Sequence, residues 1–180
     1  MNLTRRQLLK NGLVMGAASP VALGTTWADA SGASRDGGHG EIRLYGTDRW
    51  VTEMGLGLRQ QGWGPRYEGR LDPLSLNDLP RGTMAAGFTD DAGLVLLTSL
   101  LAGRGRILAL GRHMAGADLL ESHRGPITRT LSAEEGSWQA ALGREYARLA
   151  LANGTGRHVR RLSRPVAAAE AGALSFLIRL

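Results

Sequence analysis

The sequence predicts an α/β domain, with one parallel or mixed sheet and helices packed on its faces. Three observations carry that expectation. Strand-like and helix-like patterns alternate along the chain, as they do where crossover connections build a sheet. The run RILAL at 106–110 is short, apolar and suited to a buried strand. The chain has 180 residues, so even without a leader about 150 remain, enough for one hydrophobic core.

Taken in order, 41–45 (EIRLY) alternates and reads as the first strand. A helix over 49–61 follows, ending at Gly62, with Trp50, Val51, Met54 and Leu58 on its apolar face and Thr47 or Asp48 as its cap. Gly55 and Gly57 weaken that helix but permit close approach to the sheet. Residues 62–82 are rich in Gly, Pro and Asp and read as a long loop, with room for a short strand near 67–71. A second strand is predicted over 83–88. Thr89-Asp90-Asp91 then caps the apolar run 93–102; periodicity leaves helix or strand open, while the cap and the length favour a helix. After RILAL, residues 111–126 read as holding a short helix stopped before Pro126. Ser132-Ala133-Glu134-Glu135 is a capping box for the clearest helix, running to about Asn153 with Trp138, Leu142, Tyr146 and Leu149 on one face. Residues 155–165 form a basic connection or edge strand, and 174–180 a final strand.

The first residues answer a different question. Arg5 and Arg6 lead into Gln7-Leu8-Leu9-Lys10, a weakly apolar stretch follows to about Gly24, and Ala28-Asp29-Ala30 supplies small-x-small residues. This stretch resembles a bacterial twin-arginine (Tat) signal, a receptor-read address. The resemblance implies residues 1–30 as a cleavable leader, recognised by the Tat machinery and signal peptidase and cut after Ala30. It also implies export of the folded domain to the periplasm. The stretch is too short and too weakly apolar for a membrane span. Residues 31–40 (SGASRDGGHG) then read as a flexible tether, and 41–180 as a single domain.

Composition narrows the function classes. The chain has no cysteine, which excludes disulfides, iron–sulfur clusters, c-type haem attachment and a lipoprotein anchor. Formal net charge is +6, from 22 Lys and Arg against 16 Asp and Glu, and Lys10 is the sole lysine. Arginine-codon bias explains this simply; fork-like recognition of carboxylate or phosphate is the functional alternative. Nucleic acid is not an expected partner outside the cytoplasm. There is no GxSxG elbow, P-loop or strand-linked GxGxxG, and the sequence names no cofactor.

One constellation follows from spacing. Thr47, Asp48, Thr89, Asp90, Asp91, Arg112 and His113 all follow predicted strands, where open α/β sheets bind ligands. Helix capping alone also accounts for the Thr and Asp residues. As a site, the acids suit a hard cation with His113 as ligand or proton carrier, whereas Arg112 and the helix N-termini suit an anion. Glu121 and His123 lie close together but lack metal-helix spacing and read as a surface pair. Arg157, His158, Arg160, Arg161 and Arg164 form a basic run suited to an acidic partner or lipid headgroups. Trp50, Trp63 and Trp138 read as core, with Trp63 alone a possible loop contact. The leading expectation is an exported binding or accessory protein, assisting another exported enzyme or taking a small ligand at the strand edge. The alternatives are a small metal-assisted enzyme using Asp48, Asp90, Asp91 and His113, and an envelope interaction protein using Arg157, Arg160, Arg161 and Arg164.

Overall fold

The computed structural model describes residues 38–47, 49–114, 116–128, 137–163 and 173–180, all within one compact unit, Ser34–Leu180. The leader, including Arg5, Arg6, Ala28 and Ala30, lies outside the described residues, as do Asp48, the capping box at 132–135 and Arg164.

Seven strands form one mixed sheet: β1 (Gly40–Tyr45), β2 (Trp63–Gly69), β3 (Met84–Thr89), β4 (Arg106–Met114), β5 (Ala117–Ser122), β6 (His158–Ser163) and β7 (Ala173–Arg179). Their spatial order is β2-β1-β3-β7-β4-β5-β6. β1 pairs parallel with β2 and β3, and every other pairing is antiparallel. The carboxyl ends of β1, β2, β3 and β4 and the amino end of β7 therefore share one edge of the sheet.

Helices α1 (Arg49–Arg59) and α3 (Trp138–Leu151) cover one face, burying Ile42, Leu44, Met54, Leu58, Leu142, Tyr146 and Leu177. The other face is covered by a 3-10 turn (Pro73–Asp78) and α2 (Asp91–Leu101), around Tyr45, Leu76, Ala85, Leu97, Phe176 and Ile178. The predicted faces of α1 and α3 are the buried ones: Trp138, Leu142, Tyr146 and Leu149 are all in the core. α3 is capped by the Ser137 hydroxyl, which accepts from the Ala140 N–H. α2 is a helix, as its cap suggested, with Asp90 accepting from the Gly93 N–H at 2.7 Å.

Three local readings are corrected. Most of the predicted long loop is structured: Trp63–Gly69 is edge strand β2, and Pro73–Asp78 is the 3-10 turn, capped by Asp72. Gly and Pro there mark an edge and a turn start, both places that tolerate them. Trp63 is consequently buried, not a loop contact. The short helix expected within 111–126 is instead a hairpin, with Met114 paired to Ala117 across a two-residue turn that includes Gly116 at φ 74°. Gly57 does not face the sheet. A Cβ there would strike the Ala140 carbonyl oxygen, just as one on Gly143 would strike that of Met54. These two glycines bring α1 and α3 into backbone contact, while Gly55 does lie against the sheet, beside Tyr67 and Leu44.

Candidate functional site: a switch-point cleft and the sealed relay behind it

Parallel neighbours β1 and β3 are followed by helices on opposite faces of the sheet, α1 on one and α2 on the other. Chains that diverge in this way open a crevice at the carboxyl ends of the two strands, the usual ligand position in α/β sheets. A cleft of about 510 Å³ sits there. Its polar rim comes from Thr47 after β1, Arg70 after β2, and Thr89 and Asp90 after β3, and its apolar wall includes Trp50 and Phe88.

The cleft gathers only part of the predicted constellation. Thr47, Thr89 and Asp90 line it. Asp90 spends its carboxylate on the α2 cap. Asp91 points into solvent, 3.9 Å from Arg112, and Arg112 leaves β4 on the α2 face. His113, one residue on, faces the other way and is wholly buried. Strand alternation alone separates these two neighbours. Among the described residues no three His, Asp or Glu side chains gather as a metal-ligating group. Arg70, which spacing alone does not single out, makes no ion pair among the described residues and is the cationic side chain of the lining.

His113 belongs to a network that the sequence reading missed. Its Nδ1 lies 2.7 Å from Asp118 Oδ1 and its Nε2 lies 2.7 Å from Ser175 Oγ. Tyr146 OH is 2.7 Å from the same Ser175 oxygen. All four residues are fully buried. A neutral His113 protonated on Nδ1 satisfies the geometry. It donates to Asp118, Nε2 accepts from Ser175, and Ser175 accepts from Tyr146. Burial pushes the Tyr146 phenol well above its usual range, partly offset by its bond to Ser175.

The local sequence explains how the network assembles. The tight hairpin places Asp118 directly opposite His113. Ser175 pairs with Gly111, two residues before His113 on the same face. A Cβ at Gly111 would strike Ser175 Oγ and come within 2.9 Å of His113 Nε2, so the missing side chain makes the room for this bond. Had HMAGAD at 113–118 been read as a Gly-containing hairpin, the His113–Asp118 pair was within reach; Ser175 and Tyr146 carry no local signal.

The order Ser–His–Asp is that of nucleophile, base and orienting acid in acyl transfer. Here it is sealed. Ser175 has no exposed surface, Tyr146 occupies the far side of its oxygen, and the Trp138 ring lies 4.6 Å from the imidazole. The relay instead pins β4, β5, β7 and α3 together. It also backs the cleft: the Phe88 ring is 6.0 Å from both His113 and Trp138, and Trp50 packs edge-on against Phe88 and Trp138.

Several of the remaining candidates are engaged within the chain. Arg157 forks onto Glu121 at 2.7 and 2.8 Å, and His123 Nε2 is 3.2 Å from the same carboxylate. That makes Glu121 and His123 the surface pair expected, joined by an arginine from the basic run. The Arg157 guanidinium holds the Glu121 carboxyl below its usual range, chiefly by hydrogen bonding. Arg160 donates to the carbonyls of Ile127 and Thr128. Of the run, Arg161 is exposed on edge strand β6.

The site and fold thus define an α/β protein with a ligand-sized switch-point cleft. No protein-family model, no curated protein and no solved structure matches the chain.

Proposed function

We propose that this is an exported protein that binds a small organic anion in the cleft between β1 and β3, acting as a ligand-binding or accessory component. The observation that carries the reading is the cleft's place at the switch point, where side chains from three strand ends meet over one cavity. Its chemistry suggests the ligand class. Arg70 is the cation of the lining and makes no ion pair among the described residues, and guanidinium forks suit a carboxylate or similar group, while one Asp90 oxygen is held by the α2 cap. Trp50 and Phe88 offer a flat apolar surface for the rest of the molecule. Periplasmic location rests on the Tat-like leader.

The test is to purify the mature form from the native periplasm and measure it by native mass spectrometry with elemental analysis. A stoichiometric small molecule, lost on Arg70→Ala and Phe88→Ala in folded variants, supports the reading. A stoichiometric metal, lost on Asp90→Ala, would favour the metal-assisted alternative. A co-purifying protein with an empty cleft would leave the accessory role alone.

A further inference from the structure

A second cleft lies at the opposite edge of the sheet, where β4 begins and β7 ends. It measures about 580 Å³ and is lined by Arg104, Arg106, Arg124 and Arg179 together with Leu180, over a floor that includes Leu108 and Ala150. We propose that this four-arginine cleft is a binding site for a phosphate-bearing anion, separate from the switch-point cleft and independent of the function proposed for it.

Three observations converge. First, no carboxylate of a described residue pairs with any of the four guanidinium groups. Elsewhere in the chain the reverse is common: Arg43, Arg66, Arg112, Arg148 and Arg157 each sit within 4.0 Å of an acid. Second, Arg106 and Arg179 are register partners on adjacent antiparallel strands. Like charges placed directly opposite each other destabilise a sheet, so without a counter-charge this pair works against the fold. Third, the Nε groups of Arg104 and Arg124 are buried without a hydrogen-bond partner among the described residues, although each arginine is anchored by another nitrogen, Arg104 to the Leu79 carbonyl and Arg124 to Asn153. A buried donor with no acceptor is a cost that a bound oxyanion removes.

The ligand class follows from the donors. Arginine presents paired N–H groups that match phosphate oxygens, and four of them exceed what one carboxylate requires. Two anchored arginines provide a fixed cradle, and the exposed Arg106 and Arg179 can close over a second anionic group. A diphosphate, or a phosphate on a larger molecule, fits this arrangement.

The experiment is calorimetric titration of the mature protein with inorganic pyrophosphate, with sodium chloride of matched ionic strength as the reference. A parallel flotation assay uses vesicles containing an anionic phospholipid. The expected result is saturable one-to-one binding of pyrophosphate, weakened at least tenfold in Arg106→Gln/Arg179→Gln and unchanged in Arg70→Ala. The same double variant, without ligand, should show a higher urea midpoint than the parent at low salt, because the like-charge pair is gone. A variant that merely damages the fold would show a lower one. Binding to vesicles that pyrophosphate displaces assigns the phosphate to a lipid headgroup; binding of pyrophosphate alone assigns it to a soluble ligand. Absence of saturable binding to either, or equal binding by the double variant, overturns the proposal.

Discussion

Gly111→Ala probes the account of the buried relay most sharply. The new methyl would collide with Ser175 Oγ and lie 2.9 Å from both His113 Nε2 and Leu120 Cδ2. Ser175 can escape only by leaving its bonds to His113 and Tyr146, each 2.7 Å long. Breaking buried hydrogen bonds costs about 1–3 kcal/mol for each group stranded, and overpacking adds about 1–3 kcal/mol. Alanine regains about 0.5–1 kcal/mol over glycine through the unfolded chain. With both partners of Ser175 stranded, the net expectation is a loss of about 2–8 kcal/mol. Ser175→Ala deletes the same two bonds and should cost a similar amount. Because the bonds can be lost only once, the double variant should fall short of the sum by about 2 kcal/mol or more, toward the upper end of the usual range for coupled neighbours. Urea unfolding followed by circular dichroism measures all three, with a constant slope confirming that midpoints report stability. Additivity to within about 0.5 kcal/mol, or a Gly111→Ala variant as stable as the parent, would refute the reasoning.

Two further outcomes are expected. Tyr146 is held protonated in the fold, so its proton is shared equally by both states below pH about 10 and stability there does not depend on it. Above that pH the unfolded chain releases the proton while the fold retains it, and stability falls by about 1.4 kcal/mol per pH unit. Tyr146→Phe should flatten this alkaline limb in urea titrations from pH 9 to about 11, and an unchanged slope would count against a buried, neutral phenol. Replacing Arg5 and Arg6 together by lysine should abolish periplasmic accumulation in the native host, measured by fractionation and immunoblotting. Normal accumulation would remove the Tat reading.

The sequence made the architecture legible where pattern and physics coincide. Alternating EIRLY, the apolar run RILAL and the face shared by Trp138, Leu142, Tyr146 and Leu149 each have one stable environment, and their apolar residues are buried or half-buried as expected. It failed where the same residues serve two structures. The glycines and prolines of 62–82 punctuate loops, yet Gly64 and Pro65 sit on an edge strand, where a missing N–H or side chain is tolerated. The 111–126 stretch is a hairpin and not the expected helix; a two-residue turn leaves little turn sequence to see. That one error hid the relay, since His113 and Asp118 meet only as opposed strand residues. Half the candidate site was visible because helix caps after strands mark the switch point. Arg70 is not, because its place depends on β2, whose Gly and Pro residues read as loop. The four-arginine cleft joins residues about 75 positions apart through the β4–β7 pairing, a long-range contact with no local trace.

The most direct test of the switch-point cleft is native mass spectrometry of the protein purified from its native host beside its Arg70→Ala variant, both checked for native circular dichroism. The account predicts one small organic anion per chain in the parent that is missing from the variant, with Arg106→Gln/Arg179→Gln retaining it. A parent without ligand, or a ligand that survives Arg70→Ala at full occupancy, would contradict it.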